Sequence, residues 1–254
     1  MEERLNLPTR RLGVILPSSN TTVESEFIHA LRGSIRKKLL SLHFARIQLE
    51  AVTLEELGQM ERRTEEEALK LASAQVNLIV YACTSGSLFN GLGHDIALSQ
   101  RIGLLTGASA LTTATAVLEA LRTLGVSSVS VGTPYLPEVD EAEKRFLEQN
   151  GLKVVTIKGM GLKHNGDIGR IKPSDVFRLA MGFRADSSQG IFLSCTNMPT
   201  LSVIERLERE TGKPVVSSNS ATLWAALKRL ELPREDIAGL KIPGLLESST
   251  ELAL

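Results

Sequence analysis

Two cysteines are the residues of this sequence best suited to do chemistry, and each follows a short apolar run. Cys83 stands in "NLIVYACTSGS" and Cys195 in "GIFLSCTNMP". A free cysteine is among the most buried residue types and often only fills space in a core. A thiolate, by contrast, is a nucleophile and can carry a proton. For either cysteine alone, packing and chemistry are both open interpretations.

The place of the two cysteines in a repeated pattern favours chemistry. The chain twice alternates apolar runs with helical stretches, which is typical of parallel α/β folds. The predicted strands are "RLGVILP", "LLSLHFARI", "NLIVYA" and "GLLTG", and then "SSVSVGTP", "LKVVTIKG", "GIFLSC" and "KPVVSSN". Each cysteine follows the third strand of its copy. Because ligands of parallel sheets lie beyond the carboxyl ends of the strands, two facing copies would place one thiol on each wall of a shared cleft.

Two polar residues also occupy equivalent positions in the two copies. Asn20 follows the first strand of the first copy, and Tyr135 follows the first strand of the second. Their separations from the cysteines are nearly equal, at 63 residues (20 to 83) and 60 residues (135 to 195). Asn20 is either a helix cap or an amide that donates to a carboxylate. Tyr135 is either a half-buried loop aromatic or a phenol that donates to an oxyanion.

The residues that follow the cysteines predict anion binding. Thr84 and Ser85 follow the first cysteine, and Thr196 and Asn197 follow the second. Backbone N–H groups at a helix N-terminus can hold an anion, and the same positive end lowers a thiol pKa from about 8.5 toward neutrality. We therefore expect both thiols to be acidic.

The helices connect these strand ends. The segment "SSNTTVESEFIHALRG" predicts a helix with Thr21 and Glu24 as a capping box. The segments "LEELGQMERRTEEEALKLASAQ" and "SALTTATAVLEALRTLG" each predict one long helix, and "SSNSATLW" is explained by a helix cap. We expect residues 1–108 with about 213–254 to form a first lobe, and residues 109–212 to form a second.

Composition excludes several classes of protein. Lys plus Arg equals Asp plus Glu, at 29 each, so no charge excess indicates nucleic acid or a membrane surface as a partner. The apolar runs are far shorter than the roughly 20 residues that span a bilayer. The N-terminal segment "MEERLNLPTRR" lacks the apolar region of a signal peptide. We expect a cytoplasmic protein whose two cysteines are free thiols.

Motifs for cofactors and metals are missing from the sequence. It contains no G-x-x-x-x-G-K-[ST] loop and no G-x-S-x-G elbow, and "KGMGLKHNG" has His164 where a dinucleotide fingerprint needs its third glycine. The four histidines are scattered, without H-x-x-x-H or C-x-x-C spacing. We therefore expect no metal and no cofactor, and a site made of thiols, amides and hydroxyls.

Taken together, the motifs resemble the Asp/Glu racemase superfamily. The segments "LPSSNTTVESE", "YACTSG", "TPY", "NGDIGR", "SCTNMP" and "GKPVVSSNSATLWAAL" occur in the family order, from about Arg11 to Leu230. They are most similar to the branch of maleate cis-trans isomerases and arylmalonate decarboxylases. The resemblance implies an α/β fold of two pseudo-symmetric Rossmann-like lobes with parallel sheets and an active site in the cleft between them.

The resemblance also implies roles for individual residues. Cys83 and Cys195 would be catalytic, without a cofactor, and Asn20, Tyr135 and Asn165, with the loops after the cysteines, would hold a small carboxylate or dicarboxylate. By composition alone, Asn165 is only the first residue of an Asn-Gly turn. A homodimer or higher homo-oligomer is likewise an expectation from the family.

The activity that fits best is the isomerisation of maleate to fumarate. A thiolate of Cys83 would add to the alkene, and Cys195 would donate and accept the proton. The alternative is an Asp/Glu-type or hydantoin-type racemase that uses the two thiols as bases on opposite faces of one carbon. A decarboxylase is less favoured, because arylmalonate decarboxylases carry glycine where this chain has Cys83. A protein that binds a carboxylate without chemistry is the remaining alternative.

Overall fold

The strands form two parallel four-stranded sheets of identical topology. The structure is a computed structural model that describes residues 10–232 and 243–244. The first sheet has the order β2-β1-β3-β4, and the second has the order β6-β5-β7-β8. The strands are β1 (Arg10–Pro17), β2 (Leu40–Ile47), β3 (Leu78–Tyr81), β4 (Ser109–Thr112), β5 (Ser128–Thr133), β6 (Lys153–Gly159), β7 (Gly190–Leu193) and β8 (Val215–Ser217). The predicted α/β fold with two similar parallel sheets is confirmed.

Helices connect successive strands, as parallel pairing requires. They are α1 (Val23–Arg36), α2 (Leu54–Arg62), α3 (Thr64–Ser73), α4 (Thr84–Leu88), α5 (His94–Thr106), α6 (Thr113–Thr123), α7 (Pro137–Gln149), α8 (Asn165–Ile168), α9 (Pro173–Met181), α10 (Ile204–Thr211) and α11 (Ser218–Leu230), with a 3-10 helix at Leu201–Val203. Proline in the first turn starts both α7 and α9, since its missing N–H costs nothing there.

The strands that lead into the cysteines lie inside their sheets. β3 pairs with β1 and β4, and β7 pairs with β5 and β8. All four residues of each of these two strands are buried. Central parallel strands are covered on both faces, which explains why both runs are continuously apolar rather than alternating.

Helices α6 and α11 pack between the sheets and make a shared core. One cluster of buried side chains joins Val14 and Val80 of the first sheet to Val131 of the second through residues of these helices. Every residue from 218 to 227 of α11 is buried, including Trp224. A helix that is buried on all sides belongs to the centre of a fold. The first residue of α11, Ser218, lies next to the two cysteine loops.

The predicted strand "GLLTG" is wrong. Its residues form the last turn of α5, which ends at Gly107 in the left-handed conformation with φ 71°. Leu104 is 88% exposed, so the run is apolar without being buried. The fourth strand is instead β4, which takes up the first residues of the predicted long helix and leaves α6 to start at Thr113.

Two further local predictions need correction. The predicted helix from residue 54 to 75 is divided into α2 and α3 at Arg63. The predicted capping box of α1 is wrong, because Asn20 Oδ1 accepts the N–H groups of Thr22 and Val23 instead. Glu24 pairs with Arg46, at 2.6 Å between Oε2 and Nη2, and so is not available to the helix terminus.

The sheets divide the chain differently from the expected lobes at two strands. β4 lies after residue 108, yet it pairs with β3 of the first sheet. β8 lies after residue 213, yet it pairs with β7 of the second sheet. Helix α11 packs against α6, β3 and α1 and also against β8 of the second sheet, so it contacts both halves of the chain. Most of the expected segment beyond residue 232 lies outside the described residues.

Candidate active site

Cys83 lies at the start of α4, directly after β3. Its side chain is only 4% exposed, and its backbone is extended, with φ −144° and ψ 108°. The Oγ atom of Ser85 lies 3.8 Å from the sulfur, and the backbone N–H of Gly86 also donates to it. The first turn of α4 therefore directs a hydroxyl and a backbone donor at this thiol.

Cys195 lies in the equivalent loop after β7, in a strained backbone conformation. Its φ of 104° is in the range that residues with a side chain rarely adopt. Its N–H donates to Ser218 Oγ at 3.0 Å, and the N–H of Asn197 donates to its sulfur at 3.4 Å. Strain of this kind is found mainly at functional sites, which favours chemistry over packing for this thiol.

One serine of α11 connects the two cysteine loops. Ser218 Oγ accepts a hydrogen bond from Thr84 Oγ1 at 2.8 Å as well as the one from the N–H of Cys195. The predicted cap is present, since Ser217 and Ser220 form a capping box at the start of α11. The role of Ser218 was not predicted. The only signal for it is the likeness of "SSNS" to the "SSNT" of the first-strand loop.

Asn20 connects the loop after β1 to the loop of the second cysteine. Its Oδ1 caps α1, and its Nδ2 donates to Thr196 Oγ1 at 3.1 Å. Thr196 Oγ1 in turn donates to the carbonyl oxygen of Ala82, beside the first cysteine, at 3.1 Å. Asn20 is thus a helix cap whose amide group also reaches the second half of the chain.

Asn165 and Asn197 extend the same network. Asn165 Nδ2 donates to Ser19 Oγ at 2.8 Å, and Asn197 Nδ2 donates to the carbonyl oxygen of Asn165 at 2.7 Å. Asn197 Oδ1 accepts the N–H of Thr21 at 2.9 Å. The structure therefore brings together amides and hydroxyls from four loops that are far apart in the sequence.

Burial raises the pKa of both thiols, which is opposite to the predicted direction. The pKa of Cys83 rises to about 11, although Gly86 and Ser85 oppose the increase. The pKa of Cys195 rises to about 12, although the Tyr135 hydroxyl and backbone N–H groups oppose it. The prediction of two acidic thiols is wrong for this structure because loss of water around each sulfur outweighs the donors aimed at it.

The two thiols and Tyr135 interact electrostatically. Besides burial, which raises the pKa of Cys195 most, the Tyr135 hydroxyl lowers that pKa and negative charge on Cys83 raises it. Because each thiolate disfavours the other, one thiolate together with one thiol is the preferred ionised state. Such a pair can attack a carbon with one sulfur and move a proton with the other.

A buried carboxyl group that the sequence did not reveal connects α1 to the segment after Cys195. Glu26 Oε1 accepts the N–H groups of Thr200 at 2.7 Å and Leu201 at 2.9 Å, and its Oε2 accepts from Asn219 Nδ2 at 2.6 Å. Burial raises its pKa in spite of these three donors. Glu26 therefore fixes the second cysteine loop against the first half of the chain.

The described residues contain neither a cluster of metal-ligating side chains nor a membrane-spanning helix. Over residues 10–232 and 243–244, no three or more His, Cys, Asp and Glu side chains group as metal ligands would. In that same part of the chain, no helix has the length and apolar character to cross a bilayer. The donors that surround the two thiols are amides, hydroxyls and backbone N–H groups.

Comparisons with known proteins agree on one group of enzymes. The family model described as arylmalonate decarboxylase matches residues 12–240. A maleate isomerase of Pseudomonas putida is 30% identical over 230 residues, which are 87% of this chain and 92% of that protein.

Two solved structures are similar along nearly their whole length. A crystal structure of a maleate isomerase from Pseudomonas putida with maleate has a TM-score of 0.86 and 29% identity, and the match covers 94% of this chain and 98% of that one. A mutant maleate cis-trans isomerase from Nocardia farcinica with a covalently bound succinylcysteine intermediate has a TM-score of 0.87 and 27% identity, with the same coverage.

Proposed function

The chain belongs to the arylmalonate decarboxylase family, and on that premise we propose that it is a cofactor-independent isomerase that converts maleate to fumarate. The pair of interacting, buried thiols at matched strand ends carries the proposal. The similar enzymes are maleate isomerases, and one of their structures contains a succinylcysteine. The burial of both thiols at equivalent strand ends of this chain supports the same chemistry here.

The first half of the proposed reaction makes a covalent adduct. The Cys83 thiolate adds to one alkene carbon of maleate, so that a C–S bond forms and the π electrons move onto the other carbon and its carboxylate. The Cys195 thiol then donates its proton to that carbon. The product is a succinyl group on Cys83, and the former double bond is now a single bond about which the substrate can rotate.

The second half reverses these steps after rotation. The Cys195 thiolate removes a proton from the carbon, the double bond forms again in the trans arrangement, and the C–S bond breaks. Cys83 leaves as the thiolate and Cys195 is again the thiol, so the pair returns to its starting state. Preorganised N–H and O–H donors around the carboxylate lower the energy of the charged species between these steps.

We propose that the substrate carboxylates are held by the amides and hydroxyls around the thiols, in a cleft between the two halves of the chain. These residues are Asn20, Thr84, Ser85, Tyr135, Asn165, Thr196 and Asn197. Their burial and mutual hydrogen bonds support this role, since donors fixed before the substrate arrives cost little to orient. A primary amide has two N–H donors, and Asn20 and Asn165 each use one in the hydrogen bonds described above.

Intact-mass measurement after incubation with maleate tests the mechanism. The Cys195→Ser variant is expected to accumulate one maleate mass, because water can supply the proton that completes the succinyl adduct on Cys83, whereas serine does not remove a proton from that adduct efficiently. The matched variant Cys83→Ser is expected to gain no mass. Wild type is expected to release fumarate, which proton NMR measures directly.

Other results would identify other functions. Fumarate formation by Cys83→Ser, or no fumarate and no adduct with wild type, would contradict the isomerase proposal. Exchange of an α-proton of an amino acid in deuterated water would instead indicate a racemase. Ligand-induced thermal stabilisation that survives in both serine variants, without turnover of any compound, would indicate a binding protein.

Decarboxylation is a second candidate that the family model itself supports. In that reaction the enolate would form by loss of CO2, and one cysteine would deliver the proton. Release of CO2 from an arylmalonate by wild type, in the absence of maleate turnover, would establish it. The thiol of Cys83 favours isomerisation. Addition to an alkene needs a nucleophile, whereas loss of CO2 from an arylmalonate needs none.

We further propose that the protein is cytoplasmic and forms a homodimer. Both cysteines are free, as in a reducing compartment. Leu104 and Leu105 near the end of α5 expose 88% and 39% of their surface, and exposed large apolar side chains that adjoin each other can belong to a protein interface. Light scattering on wild type and on Leu104→Glu tests this, since the substitution is expected to yield monomers. A wild-type monomer would contradict the proposal.

A further inference from the structure

Tyr81 has a buried hydroxyl whose presence needs an explanation. It is the last residue of β3, and its side chain lies on the same face of the strand as Cys83, two residues later. The side chain is fully buried, and its hydroxyl completes no hydrogen bond within the described part of the chain. A phenylalanine would fill the same space without an unpartnered polar group, so the hydroxyl is costly for packing alone.

The Tyr81 hydroxyl and the Cys83 sulfur border the same space over Gly86. A Cβ atom on Gly86 would lie 2.8 Å from the Tyr81 hydroxyl oxygen and 3.0 Å from Cys83 Sγ. The oxygen and the sulfur are therefore separated by no more than the sum of these two distances, and the glycine leaves the space between them free of a side chain.

The charged groups around Tyr81 leave Cys83 as its main electrostatic partner. Negative charge on Cys83 raises the pKa of Tyr81 more than any other charge does. Glu61 and Arg101 also act on it, but their effects are opposite in sign, and the two side chains pair at 2.9 Å. The Thr64 hydroxyl lies beside the phenol and lowers its pKa.

The second half of the chain has the same combination of residue types. The chain has only two tyrosines and two cysteines, and the Tyr135 hydroxyl acts on Cys195 and lowers its pKa. Around Cys83, the donors are the N–H of Gly86 and the Ser85 hydroxyl, whose oxygen lies 3.8 Å from the sulfur. The thiol that must ionise to act as the nucleophile thus has nearby a phenol that completes no hydrogen bond within the described residues.

We propose that the Tyr81 hydroxyl donates a hydrogen bond to the Cys83 thiolate and stabilises that ion. Tyr81 is then a positioning residue that acts through Cys83, as the counterpart of Tyr135 on the other wall of the site. The inference deepens the proposed function, since it rests on Cys83 reacting as a thiolate.

Alkylation of single thiols by iodoacetamide tests the proposal without any substrate. In the Cys195→Ser background only Cys83 remains, and in the Cys83→Ser background only Cys195 remains. Tyr81→Phe and Tyr135→Phe are placed in both backgrounds, and intact mass gives the alkylation rate between pH 7 and 9. Circular dichroism confirms that each variant is folded.

The proposal predicts a crossed pattern of rates. A hydrogen bond to a thiolate changes the acid dissociation constant of the thiol about tenfold or more. Without the bond fewer thiols are ionised, but each thiolate is more basic and more nucleophilic, which offsets part of the loss in alkylation rate. Tyr81→Phe is therefore expected to slow Cys83 about three- to tenfold and to leave Cys195 unchanged, whereas Tyr135→Phe slows mainly Cys195. An unchanged rate for Cys83, or equal slowing of both thiols by Tyr81→Phe, would overturn the proposal.

A second measurement covers the case in which Tyr81→Phe does not fold. In a Tyr135→Phe background, biosynthetic 3-fluorotyrosine enters position 81 alone, because the chain has no other tyrosine. The more acidic phenol is a stronger donor, so Cys83 is expected to react faster, and an unchanged or slower rate would overturn the proposal. Since neither measurement involves maleate, failure to isomerise maleate would leave this inference standing.

Discussion

Glu143 gives the sharpest test of the electrostatics of this fold. It lies on α7 and is fully buried, and neither carboxyl oxygen completes a hydrogen bond within the described part of the chain. Burial raises its pKa from 4.5 to about 8, the adjacent Ser194 hydroxyl only partly opposes this, and Asp140 adds to it. Glu143 is therefore expected to be neutral in the folded protein at pH 7.

The sign and size of the effect on stability follow from proton linkage. Below pH 4.5 the carboxyl group is protonated in both the folded and the unfolded chain. Between pH 4.5 and about 8 the unfolded chain binds fewer protons than the folded one, so the free energy of unfolding falls as pH rises. At 1.36 kcal/mol per pH unit, the free energy of unfolding falls by about 5 kcal/mol over this interval. This value is an upper limit, because relaxation of the protein around a buried ion reduces the cost of ionisation.

Urea unfolding of Glu143→Gln at pH 5, 6.5 and 8 measures this loss. Glutamine has nearly the same shape and does not titrate, so we expect the variant to gain about 2–4 kcal/mol relative to wild type between pH 5 and pH 8. The matched control is Glu141→Gln, an exposed site on the same helix, which is expected to follow wild type. Parallel pH profiles of Glu143→Gln and wild type would refute the reasoning.

Three other substitutions test the site. Gly86→Ala would place a methyl group against the Tyr81 hydroxyl and the Cys83 sulfur. We therefore expect at least a tenfold loss of maleate turnover and a loss of about 1–3 kcal/mol in the free energy of unfolding. Turnover within twofold of wild type would contradict this. Glu26→Ala leaves two backbone N–H groups without their acceptor and is expected to cost about 3 kcal/mol in urea unfolding; a cost below about 1 kcal/mol would count against a fixed cysteine loop. Cys195→Gly is expected to be about 1 kcal/mol more stable than Cys195→Ala, because glycine relieves the strained φ; the reverse order in thermal unfolding would show that the strain is absent.

The duplicated architecture was predictable because its signals are local. Buried parallel strands are continuously apolar, so "NLIVYA" and "GIFLSC" predicted the central strands β3 and β7 directly. The same logic failed for "GLLTG", since an apolar run shows burial only when something packs on it, and Leu104 is exposed. Local pattern alone does not distinguish these two cases.

Several candidate residues could be named from the sequence, but the energetics of the thiols could not. Strand ends in equivalent positions of two copies single out Cys83, Cys195, Asn20 and Tyr135 as candidates, whereas the contacts of Ser218 and Glu26 were missed. A helix terminus lowers the pKa of a thiol and burial raises it, and the amount of water left around the sulfur decides which effect is larger. The sequence does not show how much water remains there. The predicted direction was therefore wrong for both thiols.

The sequence by itself determined two parallel α/β halves and a thiol at the same strand end of each. Only the tertiary structure decided that Ser218 joins the two cysteine loops, that Glu26 connects the halves, and that Gly86 leaves Tyr81 facing Cys83. The contacts of Ser218 and Glu26 join residues far apart in the chain, whereas Tyr81, Cys83 and Gly86 are close in sequence and meet because the chain turns there from β3 into α4. In each case burial and electrostatic coupling arise only when packing removes water from between the groups.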